Sequence, residues 1–247
     1  MILTDFNWVQ QRLLTYREEA ISLQRELVRR VAIGPENGGP GEGEKAEFLK
    51  EYLSRLGLTV VNYPAPDPRV PGGERPNLVA MLPGQRAEKV WVLSHLDVVP
   101  EGERQLWHSD PFELRVEGDL LYGRGVEDNH QGIVASVLAV RALVELGLTP
   151  PRTIALALVA DEETGSQKGL AHLLQTQREL FAPQDLIIVP DAGSPDSTLI
   201  EVAEKSILWV RLEIQGRQGH ASRPELAVNT LRACAHLIVA LETLPAA

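Results

Sequence analysis

The sequence predicts an α/β fold with a mostly parallel central sheet and flanking helices, followed by the start of a smaller α+β domain. Three apolar runs carry that reading: Trp91 to Leu96, Thr153 to Ala160, and Asp185 to Pro190. Continuous apolar strands are those covered on both faces, and they alternate here with segments of helical spacing. From Ile207 the pattern changes, and Ile207, Trp209, Arg211 and Glu213 alternate with Leu208, Val210, Leu212 and Ile214. That is the signature of a half-buried antiparallel strand. The expected domains are therefore residues 1–206 and 207–247.

Each remaining element follows from local pattern. Asn7 to Val31 has helical spacing, with Asp5 or Asn7 placed to cap it. Glu42 to Leu56 reads as a second helix stopped by Gly57, and Leu58 to Tyr63 as a strand. Pro64 to Pro76 reads as a loop, and Asn77 to Leu82 and Lys89 to Leu96 as strands. A hairpin through Glu117-Gly118 leads to Gly123-Arg-Gly-Val-Glu-Asp128-Asn-His130. Helices are expected at Gln131 to Leu146, Gln167 to Glu179 and Pro224 to Leu244.

Composition excludes several function classes. The chain has 247 residues, 44% hydrophobic and 23% charged, which is ordinary for a globular protein and ample for a core. A formal charge of -10 argues against a nucleic-acid or anionic-membrane surface, which needs clustered Lys and Arg. Cys234 is the only cysteine, so an intramolecular disulfide and a cysteine zinc site are both excluded. No stretch has signal-peptide or membrane-spanning character, so the expected location is the cytoplasm. Gly38 to Gly43 fits neither a dinucleotide fingerprint nor a P-loop, and no nucleophile elbow or His-Glu-x-x-His helix is present.

The three predicted strands end in His95-Leu-Asp97, Asp161-Glu162-Glu163 and Asp191. Ligands of open α/β sheets gather beyond the carboxyl ends of the strands, so these hard donors converge on a metal-dependent active site. Each residue alone has a plainer reading. A strand-end His paired with Asp is common without metal, Asp128 stands where an N-cap would stand, and an acidic turn is ordinary at a surface. His220, beside a proline turn, is alone simply a surface histidine.

Order and spacing together favour the first reading. Ser94-His-Leu-Asp-Val-Val-Pro100, Trp107 to Phe112, Leu121-Tyr-Gly-Arg-Gly125 with Asp128-Asn129, Asp161-Glu-Glu-Thr-Gly165 and Gly219-His-Ala-Ser-Arg-Pro224 span nearly the whole chain. In this series the sequence resembles the co-catalytic metallopeptidases and deacylases of family M20. The group includes carboxypeptidases, dipeptidases, aminoacylases, acetylornithine deacetylase and succinyl-diaminopimelate desuccinylase.

The resemblance implies a zinc-exopeptidase-like catalytic domain and a lid or dimerisation domain beginning near residue 207. It implies two Zn2+ ions, with Co2+ or Mn2+ as alternatives. His95 and Asp191 become ligands of one ion, Asp128 bridges both, and Glu163 holds the other. Asp97 would orient the His95 ring, and a cis peptide is implied at Asp128-Asn129. Glu162 becomes the general base that takes a proton from the hydrolytic water and passes it to the leaving amine. His220 would steady the oxyanion, often in the partner subunit's site. His108, His130, His172 and His236 receive no role and are expected in solvent or packing, with His130 standing where the family usually has Lys.

Family members usually continue through a complete lid and return to the catalytic domain, which supplies a last histidine ligand. The resemblance thus implies truncation within the lid, a weaker Glu163 site, impaired activity and an uncovered apolar edge. The expected substrate is a dipeptide or N-acylated amino acid, with no nucleic-acid or membrane partner and a homodimer formed through the lid. The competing reading is a non-catalytic metal-binding or interaction protein that retains the hydrolase scaffold.

Overall fold

The computed structural model describes residues 3–194, 196, 198–203 and 210–242. It forms two compact units, Met1–Ile200 and Glu201–Ala247. The first opens with helices α1 (Leu3–Leu13) and α2 (Arg17–Val28), where one continuous helix is expected from sequence. The break comes from local competition for the backbone. The Thr15 hydroxyl donates to the Arg12 carbonyl at 2.7 Å, and the chain turns so that Tyr16 enters the core with its hydroxyl on Glu145. Asp5 and Asn7 lie inside α1 rather than ahead of it.

Helix α3 (Gly43–Arg55) ends where Gly57 takes a φ of 83°, and β1 (Thr59–Asn62) follows. The expected loop contains a small ladder of β2 (Ala65–Pro66) with β3 (Glu74–Arg75). Next come β4 (Leu78–Leu82), β5 (Arg86–His95) and the hairpin β6 (Arg115–Glu117) with β7 (Leu120–Tyr122). Helix α4 (Gly132–Glu145), β8 (Arg152–Val159), α5 (Leu170–Thr176) and β9 (Leu186–Ile188) complete the unit. Helix α5 is shorter than the spacing suggests because a tighter turn at Arg178–Leu180 replaces its last part.

The five-stranded sheet has the order β1-β4-β8-β5-β9. It is more mixed than the mostly parallel sheet expected. β8-β5-β9 is parallel, whereas β4 runs antiparallel to both β1 and β8. Side chains alternate between two cores, as the pleat requires. Leu78, Ala80, Leu156 and Leu158 face Leu27, Leu49, Leu53, Ile133 and Val137 on the helical side. Val79, Trp91, Leu93, Ala155, Ala157 and Val159 pack with Leu173 on the other. The side chains of edge strand β9 are exposed.

In the second unit, α6 (Thr230–Glu242) is preceded by a short turn at Pro224–Leu226, and Arg217 pairs with Val228. The strand expected over 207–214 is absent from residues 210–214, and its first three positions lie outside the described residues. The described end of the expected C-terminal helix is Glu242. No helix among the described residues is long and apolar enough to cross a membrane.

Candidate metal centre

Parallel register brings the strand ends level. His95 pairs with Val159 on β8, and Val92 pairs with Ile188 on β9, so three further residues along each chain reach Glu162 and Asp191. Asp128 arrives from a wide turn, Val126–Gln131, in which the His130 N–H donates to the Gly125 carbonyl at 2.9 Å. The Asp128-Asn129 peptide is cis. Asp128 does not cap α4, whose first turn follows Gln131 without any side-chain cap, and its side chain is 60% exposed.

His95 is the hub of the cluster. Its buried ring places Nε2 2.8 Å from Asp128 Oδ1 and 3.7 Å from Asp191 Oδ1. Nδ1 lies 3.0 Å from the Asp97 carbonyl and 3.5 Å from its carboxylate. That carboxylate is engaged elsewhere: Oδ1 accepts the Glu162 N–H and Oδ2 the Glu163 N–H, both at 3.1 Å. The ring is thus oriented mainly by Asp97's backbone, while its side chain secures the Glu162-Glu163 turn. Asn129, without a side-chain role in the sequence reading, donates to the Pro190 carbonyl at 3.0 Å and to Asp191 Oδ1 at 2.6 Å.

Two donor groups result. His95, Glu162 and Asp191 form one, and His95, Asp128 and Glu163 the other, with ligand atoms inside each group within 4.8 Å of one another. One imidazole among hard carboxylates suits a divalent cation such as zinc. Glu163 Oε1 is buried without a hydrogen-bond partner among the described residues, as a carboxylate oxygen facing a cation site would be. The donor set therefore fits a metal ion.

Electrostatics agree with that fit. Burial alone would lower the His95 pKa, yet the hydrogen bond to Asp128 and the nearby carboxylates of Asp191 and Asp97 outweigh it and raise the pKa to about 12. The acidic cage holds positive charge at this position. Desolvation, then the nearby Asp128 charge, raises Glu163 to about 7. Glu162 is exposed as a residue, but desolvation of its carboxyl group raises its pKa too. His95 and Asn129 hold Asp191 below the usual carboxylate range.

His220 is exposed in the second unit, its Nδ1 2.8 Å from the Ser222 hydroxyl. His130, expected in solvent or packing, is a buried packing residue, with Nε2 2.7 Å from Lys45 Nζ. His108 and His236 are exposed, and His172 is half-buried.

A buried histidine ringed by carboxylates, at the carboxyl ends of the sheet's parallel strands, has the donor set of a divalent-metal centre. The sequence places it further: Peptidase family M20/M25/M40 matches residues 91–242, and the chain belongs to this family. An uncharacterized metallohydrolase of Methanocaldococcus jannaschii is 41% identical over 218 residues, covering 86% of this chain and 53% of that protein. Succinyl-diaminopimelate desuccinylase of Gluconacetobacter diazotrophicus is 32% identical over 213 residues, covering 85% and 52%. Among solved structures, human carnosine dipeptidase 1 aligns with a TM-score of 0.63 and 25% identity, covering 75% of this chain and 41% of that one. The chain spans about half the length of the curated relatives it matches.

Proposed function

We propose that the chain carries the metal centre of a hydrolase that cleaves amide bonds in dipeptides or N-acylated amino acids. The observation that carries this reading is the convergence of His95 with Asp128, Glu162, Glu163 and Asp191. The relatives' names, a desuccinylase and a dipeptidase, supply the two substrate classes.

By the family resemblance, His95, Asp128 and Asp191 would hold one divalent ion, zinc by preference, and Asp128 and Glu163 a second; all four belong to the donor groups around His95. Bound there, zinc would polarise the scissile carbonyl and acidify a water molecule. The two glutamates differ in setting. Glu163 has a buried oxygen without a partner, which suits a ligand, whereas the exposed Glu162 suits a base that exchanges protons with water and a leaving amine. The desolvation that raises the Glu162 pKa also makes it a better proton acceptor. Asp97 orients both neighbours by holding their N–H groups. The oxyanion role of His220 and dimerisation through residues 207–247 are proposed from the sequence motif alone.

The test combines zinc binding with turnover over a panel of dipeptides and N-acylated amino acids, using the full-length protein. Glu162→Ala is expected to keep zinc and abolish hydrolysis, and Glu163→Ala to weaken zinc binding. Zinc binding by the wild type with no turnover on any panel member would instead favour a non-catalytic scaffold.

A further inference from the structure

Lys45 occupies a face of α3 that should be apolar. Lys45, Ala46, Leu49 and Leu53 are the buried residues of this helix, and Lys45 is only 1% exposed. A buried ammonium is costly unless its donors are used. Here Nζ donates to the Leu96 carbonyl at 2.9 Å and lies 2.7 Å from His130 Nε2. Burial lowers the Lys45 pKa to about 7, opposed by the charges of Asp97 and Glu42.

His130 completes the bridge as an acceptor. Its Nε2 lies 2.7 Å from the Lys45 ammonium, a group with donors only, so Nε2 must accept. With Nε2 accepting from Lys45, the ring proton sits on Nδ1, which is buried and has no hydrogen-bond partner among the described residues. This histidine therefore spends its polar capacity on the lysine.

The two bonds join two parts of the centre. Leu96 separates His95 from Asp97, and His130 lies two residues beyond Asp128. A neighbouring network serves the third turn: Arg75 donates to Glu42 through Nε at 3.0 Å and to Asp161 Oδ1 through Nη1 at 3.1 Å. Asp161 precedes Glu162 and also accepts the Lys168 N–H at 2.7 Å. The start of α3 thus backs every turn that supplies Asp128, His95, Glu162 or Glu163.

We propose that Lys45 is a positioning residue of the metal centre: by bridging the Leu96 carbonyl and His130 Nε2, it fixes the His95 strand end against the Asp128 turn. The inference rests on the metal-centre reading above. Zn2+ titration calorimetry on the wild-type chain, Lys45→Met, His130→Phe and His130→Gln tests it, alongside circular dichroism and Tm of each metal-free protein. Lys45→Met and His130→Phe are expected to weaken zinc binding about 10–100-fold, the range for residues that orient ligands. His130→Gln keeps an acceptor for Lys45 and is expected to bind zinc close to wild type.

Unchanged zinc affinity in folded Lys45→Met, with only a lower Tm, would overturn the positioning role and leave the metal centre standing. Should Lys45→Met not fold, the His130 pair decides: equal zinc affinity in the Phe and Gln variants overturns the bridge. No zinc binding by the wild type overturns the metal-centre reading and this inference together.

Discussion

Asp97 and Glu163, 66 residues apart in sequence, are joined by a 3.1 Å hydrogen bond from the Glu163 N–H to Asp97 Oδ2. The other carboxylate oxygen takes the N–H of Glu162. One buried side chain therefore fixes the backbone of both glutamates, while its own carbonyl lies against the His95 ring. Replacing an oxygen with an amide nitrogen leaves one acceptor for two N–H groups. Asp97→Asn is expected to lower zinc affinity about 10–100-fold with helix content unchanged, as measured by calorimetry and circular dichroism. Wild-type affinity in this variant would show that the turn needs no such clamp.

The strand ends were legible in the sequence because the pattern there is local. Val90 to Leu93 and Ile154 to Ala160 are unbroken apolar runs, and each passes at the sheet's edge into polar residues, Ser94-His95 and Asp161-Glu162. The break at Tyr16 was hidden because Leu13 and Leu14 continue the apolar spacing, and only the tertiary contact with Glu145 shows where the tyrosine belongs. The sheet's antiparallel half was hidden too, since β4 is as apolar as the parallel strands it resembles.

The support behind the centre was harder to read, because each bond spans a long stretch of chain. Arg75 to Asp161 and Asn129 to Asp191 pair residues whose local sequence carries no mark of the partner. Lys45 did leave a trace. It shares a helical face with Leu49 and Leu53 at four-residue steps, so a charged residue there signals a buried role.

Gly132 couples the start of α4 to the Asp191 turn. A Cβ at this position would lie 2.6 Å from the Pro190 carbonyl oxygen and 2.9 Å from Asn129 Oδ1, too close for either to stay in place. Both atoms belong to the assembly that positions Asp191, since Asn129 bonds both the Pro190 carbonyl and the Asp191 carboxylate. Overpacking of this kind costs about 1–3 kcal/mol. Gly132→Ala is expected to lower the chemical-denaturation midpoint and to weaken zinc binding, whereas Gly43→Ala, whose Cβ would meet nothing within 4 Å at the start of α3, lowers neither.

Away from the centre, Asp67 and Arg69 set an acid limb of stability. The buried Asp67 carboxylate receives Arg69 Nε at 2.8 Å, Nη2 at 2.7 Å and the Arg69 backbone N–H at 3.2 Å. The Arg69 side-chain hydrogen bonds, working against burial, lower the Asp67 pKa from 3.8 to about 2. A carboxylate with a depressed folded-state pKa binds its proton more readily when unfolded. Its stabilisation is complete above the unfolded value and is lost as pH falls from about 4 through about 2. Because the Arg69 side chain is 48% exposed, solvent screening limits the effect to at most about 1 kcal/mol. Asp67→Asn is therefore expected to lower stability at pH 7 by up to that amount and to converge with wild type near pH 2. Urea denaturation between pH 2 and 7 measures both curves; a constant gap across the range would mean that Asp67 acts through packing rather than through its charge.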